Sequence, residues 1–192
     1  MPFVKTHIPD LLVFEPRVFE DKRGYFYESY NKDLFAEAGI TLEFVQDNQS
    51  RSGQGVLRGL HYQLDPFAQD KLVRVLSGEV LDVAVDLRRG SPTFGQCHGE
   101  LLSFQNKRQL LVPAGFAHGF VVLSESAEFF YKCSALYHKD SERGIRFDDP
   151  VLGINWQLPT EKLLISDRDA ALPLFADADF NFEYHGAGSQ TL

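Results

Sequence analysis

A chain of 192 residues, 44% of them hydrophobic, is long enough to bury a sizeable core, and residues 1–192 are read as one domain. Nineteen Lys and Arg against 27 Asp and Glu leave a net charge of -8, which disfavours nucleic acid and anionic membranes as partners. Any phosphate-bearing ligand must therefore be met by a locally basic pocket.

The opening stretch MPFVKTHIPDLLVFEP has neither a basic region followed by an apolar core nor a small-residue cleavage site. No window approaches the length of a membrane span, so a cytoplasmic protein is expected. FEDKRGYF reads as a charged turn, with Arg23 and Gly24 among Phe19, Tyr25 and Phe26, a setting that could also hold a phosphate beside aromatic rings. GYFYESY reads as a strand. The clearest helix is NKDLFAEAGI, where Asn31 can cap, Gly39 can terminate, and Leu34, Phe35 and Ala38 form the apolar stripe.

Further strands follow in LEFVQDNQS, VLRGLHYQ, KLVRVLSGEVLDVAVDLR, GQCHGELLSF, QLLVPAGFAHGFVVLS and AEFFYKCSALY, separated by Gly, Pro, Asp or Asn. Ser77-Gly78-Glu79 reads as a hairpin turn and Pro113-Ala114-Gly115 as a break. The spacing predicts an all-β antiparallel sandwich or barrel with one short helix. Cys97 and Cys133 are expected as free buried thiols. After Tyr137 the chain turns polar, and with no linker in sight this tail is expected to pack on the same body.

Side chains two apart on a strand point the same way. His118 then shares a face with Phe120 and Val122, Tyr131 with Phe129 and Cys133, Lys71 with Val73 and Val75, and His61 with Gln63. One such polar tip is ordinarily a satisfied core group. Several strands each bringing one to an apolar face fit a ligand site in a barrel mouth. Arg58 and His61 are three apart and would face opposite ways unless the backbone bulges or kinks at Gly59. His7, His98, His138 and His185 lie near turns or the terminus and read as surface residues.

Several signatures are missing. GQGVLRG is one residue too long for a dinucleotide fingerprint, and there is no Gly-x-Ser-x-Gly elbow, Walker loop, Cys-x-x-Cys or His-x-His. The last absence speaks against a metal-dependent double-stranded β-helix protein.

Taken together, RGYFYESY, FVQDNQSRS, VLRGLHYQ, KLVRVLSGEVLDVAVDLRRGSPTFG, NKRQLLVPAGFAHGFVVLSESAEFFYK and DDPVLGINW resemble the dTDP-4-dehydrorhamnose 3,5-epimerase family, in order along most of the chain. The resemblance implies a cupin-type jelly roll (double-stranded β-helix) with a few short peripheral helices. It also implies a homodimer whose strands extend across the interface, and a metal-free, cofactor-free enzyme of deoxysugar-nucleotide biosynthesis. By the same resemblance His61 matches the general base, Tyr131 the general acid, Asp169 the carboxylate paired with the base, and Lys71 a lysine near the sugar's keto oxygen. His118 and Arg58 match pocket positions. Arg23, Glu28, Gln46, Asp47, Asn48 and Glu142 match nucleotide- and sugar-contacting positions, and Tyr137 and Phe26 match rings that stack on the base.

The chemistry suits these groups. A ketone at C4 acidifies the hydrogens on C3 and C5, and epimerisation needs a base on one face of the enolate and an acid on the other. Histidine held by a carboxylate suits the first role and tyrosine the second. Three other readings stand beside this one: an epimerase of C3 or C5 alone acting on a related nucleotide 4-keto-6-deoxysugar, a catalytically silent sugar-nucleotide-binding cupin, and a metal-dependent cupin.

Overall fold

The computed structural model describes residues 2–186. In chain order it contains β1 (Phe3–Lys5), β2 (Leu12–Phe14), β3 (Phe19–Asp21), β4 (Gly24–Phe26), α1 (Lys32–Glu37), β5 (Gln46–Gly53), β6 (Leu57–Gln63) and β7 (Lys71–Ser77). There follow β8 (Glu79–Asp86), β9 (Cys97–Ser103), β10 (Gln109–Val112), β11 (Phe116–Val122), β12 (Ser126–Cys133), β13 (Glu142–Gly144) and α2 (Asp167–Ala170). One sheet has the order β1-β2-β10-β7-β12-β5 and the other β13-β6-β11-β8-β9, all antiparallel, while β3 and β4 form a separate hairpin. This is the all-β architecture that the strand spacing predicted and the cupin jelly roll that the resemblance implied. No helix among the described residues is long and apolar enough to cross a membrane.

Alternation explains how the sheets face one another. On β8, Val80 and Ala84 join β7 and β12 residues such as Val73, Val75 and Phe129 in the core between the sheets. Leu81, Val83 and Val85 point out of the sandwich, yet are also buried, because the tail covers that face with Ile145, Phe147, Leu152, Trp156 and Phe182. A strand buried on both sides reads as a continuous apolar run, as VLDVAV does. Outside the other sheet, α1 lays Phe35 against Phe14, Leu72 and Leu111. Asn31 caps that helix by accepting from the backbone N–H groups of Asp33 and Leu34.

The turn between β7 and β8 needs its glycine. Gly78 has φ +79°, and a Cβ there would lie 2.1 Å from the Ser126 carbonyl oxygen. Beyond β8, Asp86 is buried and receives hydrogen bonds from Arg88, Ser91 and Thr93. Arg88 also reaches Asp10 and the Pro9 carbonyl, and lies over the rings of Phe116 and Tyr184, so one buried cluster gathers both ends of the chain.

Four expectations shift. Ser77-Gly78-Glu79 is not a hairpin turn: β7 and β8 lie in different sheets, and the chain crosses between the sheets there. The strand read from Leu42 begins at Gln46, because Leu42 and Phe44 pack beside α1, where Tyr30 meets both Phe35 and Phe44. Both cysteines are free, but only Cys133 is fully buried. His98 and His138 are half-buried, held by Glu100 and by a stack on Phe67, while His7 and His185 are exposed.

Candidate active site

Between the two sheets opens a cavity of about 410 Å³. One wall belongs to β6 and β11, where His61 and His118 stand opposite each other in register; the other belongs to β5 and β12, where Asn48 and Tyr131 are register partners. Phe120 and Phe129 stack across the gap with ring centroids 4.1 Å apart, closing the apolar end. Arg58, Lys71 and Arg168 add positive side chains to the lining. They make this cavity locally basic within an acidic protein, with Arg168 paired to Glu142.

Arg58 and His61 both line the cavity, and the backbone between them is irregular. Gly59 has φ +127°, its peptide bond to Leu60 is cis, and the β6–β11 register slips between His118 and Phe120. A Cβ on Gly59 would lie 2.6 Å from the Cα of Gly119, so two glycines let the strands approach here. The positive φ and the register slip let β6 turn both side chains to one face.

His61 Nε2 lies 2.9 Å from Asp169 Oδ1, and the Gly59 N–H donates to Asp169 Oδ2 at 3.2 Å. Ser166 caps α2 and sets Asp169 on it, buried behind the ring. Burial favours the protonated carboxyl, but the bonds from His61 and Gly59 outweigh it and hold Asp169 below the usual carboxylate range. An ionised carboxylate only accepts, so His61 presents Nε2–H to it and leaves Nδ1 as the basic nitrogen.

On the facing wall, burial raises the Tyr131 phenol, the neighbouring Cys133 adds to this, and Arg58 opposes it. Lys71 is shifted the other way: burial pushes its ammonium down, against Cys133, Asp82 and Glu142. Its Nζ lies 5.9 Å from the Tyr131 ring centre. His118 is buried with Nε2 3.0 Å from both oxygens of Asp82.

The remaining candidates divide. Gln46 donates to Asn48 Oδ1, and Tyr137 Oη donates to Glu142 Oε2 at 2.8 Å, with Arg168 paired to the same carboxylate. Burial alone would raise Glu142, yet Arg168 and Tyr137 hold it below the usual range. Asp47 points to the opposite face of its sheet and pairs with Lys132 at 2.9 Å. Arg23 and Phe26 lie outside this cavity, in a hollow of about 370 Å³ on the β3–β4 hairpin, where Arg23 is bound to Asp21. Glu28 accepts from Asn31 at the start of α1 and is likewise absent from the lining.

Two participants escaped the sequence reading. Asp82 carries a carboxylate at an inward position between Val80 and Ala84, a signal that strict alternation offers. Arg168 sits next to Asp169 but meets Glu142 only in the fold. Among the described residues no group of three or more His, Cys, Asp or Glu is placed to hold a metal ion.

Comparison with known proteins bears on the fold and the family. The family profile described as dTDP-4-dehydrorhamnose 3,5-epimerase matches residues 5–177. A Pseudomonas aeruginosa protein of that description is 59% identical over 180 residues, covering 93% of this chain and 98% of its own. One from Shigella flexneri is 57% identical over 181 residues, covering 94% and 99%. A crystal structure from Legionella pneumophila, of a dTDP-6-deoxy-D-glucose-3,5-epimerase in complex with dTDP-4-keto-L-rhamnose, superposes with a TM-score of 0.88 at 53% identity, covering 92% of this chain and 94% of that one. With its two-sheet cavity and these relatives spanning nearly its whole length, the chain belongs to the dTDP-4-dehydrorhamnose 3,5-epimerase family.

Proposed function

We propose that this protein converts dTDP-4-dehydro-6-deoxy-D-glucose to dTDP-4-dehydro-L-rhamnose by inverting C3 and C5. The carrying observation is the His61–Asp169 pair on one wall of a cavity whose other wall bears Tyr131. His61 Nδ1 takes the hydrogen from the carbon beside the ketone, and the electron pair moves onto O4 as an enolate. Tyr131 then returns a proton to the opposite face of the same carbon. Its raised proton affinity keeps the phenol protonated at neutral pH until the carbanion demands a proton.

Lys71 and Arg58 border the space where O4 would carry charge, and fixed positive groups in a water-poor site commonly contribute the largest share of rate enhancement. Only protons move and no net oxidation occurs, so the reaction itself calls for no redox cofactor. The same steps serve C3 and C5 in turn.

The dTDP portion is remote from the reacting carbons and serves to anchor and orient the sugar. Asn48 and Arg168 line the cavity on this chain, Gln46 is bonded to Asn48, and Glu142 is bonded to Arg168 and Tyr137. Arg23, Phe26 and Glu28 belong to the same reading, but they stand away from their own chain's cavity, and Phe26 is 67% exposed. We infer a cytoplasmic homodimer in which this hairpin serves the partner's site.

Incubation with the 4-keto-6-deoxyglucose nucleotide in deuterated water, followed by NMR, tests the proposal. Deuterium and inversion are expected at both carbons, and neither with His61→Ala, which should still bind dTDP. Exchange at one carbon alone would reassign the protein to single-carbon epimerisation, and no exchange by the native protein would overturn the assignment.

A further inference from the structure

Residues 134–141, between β12 and β13, present Tyr137 and lead directly to Glu142, the carboxylate that both Tyr137 and the cavity-lining Arg168 engage. The side chains of Leu136 and Tyr137 are exposed and add nothing to the apolar core. Asp70 bonds Ser134 at one end of the segment and the Leu64 N–H bonds the Ser141 carbonyl at the other, while side-chain amides hold residues 135–138 between them. Gln69 donates to the Ala135 carbonyl at 2.7 Å, Gln63 to the Leu136 carbonyl at 3.2 Å, and Gln46 accepts from the Tyr137 N–H at 3.0 Å. Gln63 Oε1 also accepts from the His138 N–H at 2.8 Å. Four consecutive residues are thus each gripped at the backbone by a glutamine.

Gln63 is the hub of this arrangement. It lies two residues beyond His61 on β6, is 5% exposed, and pairs with Glu142 across the β6–β13 ladder. Its second amide hydrogen goes to the Phe67 carbonyl at 2.7 Å, and the Phe67 ring stacks on His138 with centroids 3.7 Å apart. Only a primary amide offers two donors and an acceptor from one side chain, and here both donors and the acceptor are used. A buried glutamine satisfied by one loop would be unremarkable packing. Convergence of three amides on the segment that carries Tyr137 is more than that requirement.

We propose that Gln63 is a positioning residue for substrate capture: it holds residues 135–138 in place so that Tyr137 and Glu142 meet the nucleotide sugar already ordered. This rests on the reading of the cavity as the epimerase site. A segment left loose would have to be ordered by the substrate, which weakens binding and leaves the proton transfers at His61 and Tyr131 unchanged.

Gln63→Met keeps length and removes every hydrogen bond. Steady-state kinetics of the full chain should show KM for the 4-keto-6-deoxyglucose nucleotide raised about tenfold, with kcat within about twofold of the native value. Backbone amides at 135–138 should exchange hydrogen faster. Gln69→Met removes one of the bonds and should raise KM about threefold; it decides the matter alone if Gln63→Met does not fold. Unchanged KM in a folded variant, or a fall in kcat at constant KM, overturns the positioning role while native activity stands. A native protein inactive in deuterated water would instead strike at the epimerase reading.

Discussion

Tyr131 and His61 occupy the same kind of position, a polar tip on an apolar strand face, but burial acts on them through different partners. The carboxylate behind His61 fixes which nitrogen is basic, whereas the Tyr131 phenol is raised by burial, with Cys133 and Glu142 adding to this and Arg58 opposing. Tyr131→Phe should therefore slow turnover by about 10²–10⁴, with solvent deuterium entering the substrate faster than inverted product forms. Isotope analysis of recovered substrate checks this, and full-rate inversion would remove Tyr131 as the acid. Alternation brought His61, His118, Lys71 and Tyr131 to notice, and the resemblance supplied their proposed roles. Asp82 was legible by the same alternation but was passed over because it sits in an apolar run. Arg168 was not legible, since its partner Glu142 is brought to it by the fold and not by spacing.

Among the elements, β6 is the one whose irregularity matters most. The sequence reading required a departure from regular strand near Gly59 if Arg58 and His61 were to share a face, and the positive φ and slipped register at that point supply it. Gly59→Ala would force a Cβ against Gly119 in a conformation that L residues avoid, costing more than about 2 kcal/mol. Urea unfolding should show this as a lowered midpoint, and activity should fall because Arg58 and His61 lose their common direction. Strand boundaries were less legible than strand existence. Leu42 and Phe44 have strand-forming side chains, but the nearest apolar surface is that of α1, and local pattern does not reveal which neighbour a residue will choose.

At the scale of the molecule, the Asp86–Arg88 cluster joins Pro9 and Asp10 near the start of the chain to Tyr184 near its described end. Burial raises the Asp86 carboxyl, but Arg88 and Ser91 outweigh it and hold it below the ordinary range. A carboxylate depressed in the fold lends stability above its unfolded pKa of about 4, and that stability drains away as pH falls through the lower folded value. Asp86→Asn should cost about 3 kcal/mol at pH 7, and in urea titrations the gap from the native protein should narrow as pH falls below about 4. If the β3–β4 hairpin serves a second copy, dilution below the dimer dissociation constant should reduce specific activity, with sedimentation and turnover falling together. The apolar pattern foretold an antiparallel sandwich or barrel, yet no pattern within one chain says that Arg23 and Phe26 stand apart from their own cavity.

The placement of His61 and Tyr131 on different sheets has a consequence for proton accounting. After one inversion under the proposed roles, the imidazole holds a proton it did not have and the phenol lacks one it had, so the enzyme leaves each event as a different charge isomer of itself. With the two groups on opposite walls and the sugar between them, that debt is settled through water at the mouth and not by direct exchange. Each inverted carbon should then carry a hydrogen from solvent, never its own returned, and two inversions require one such resetting between them and another before the next turnover.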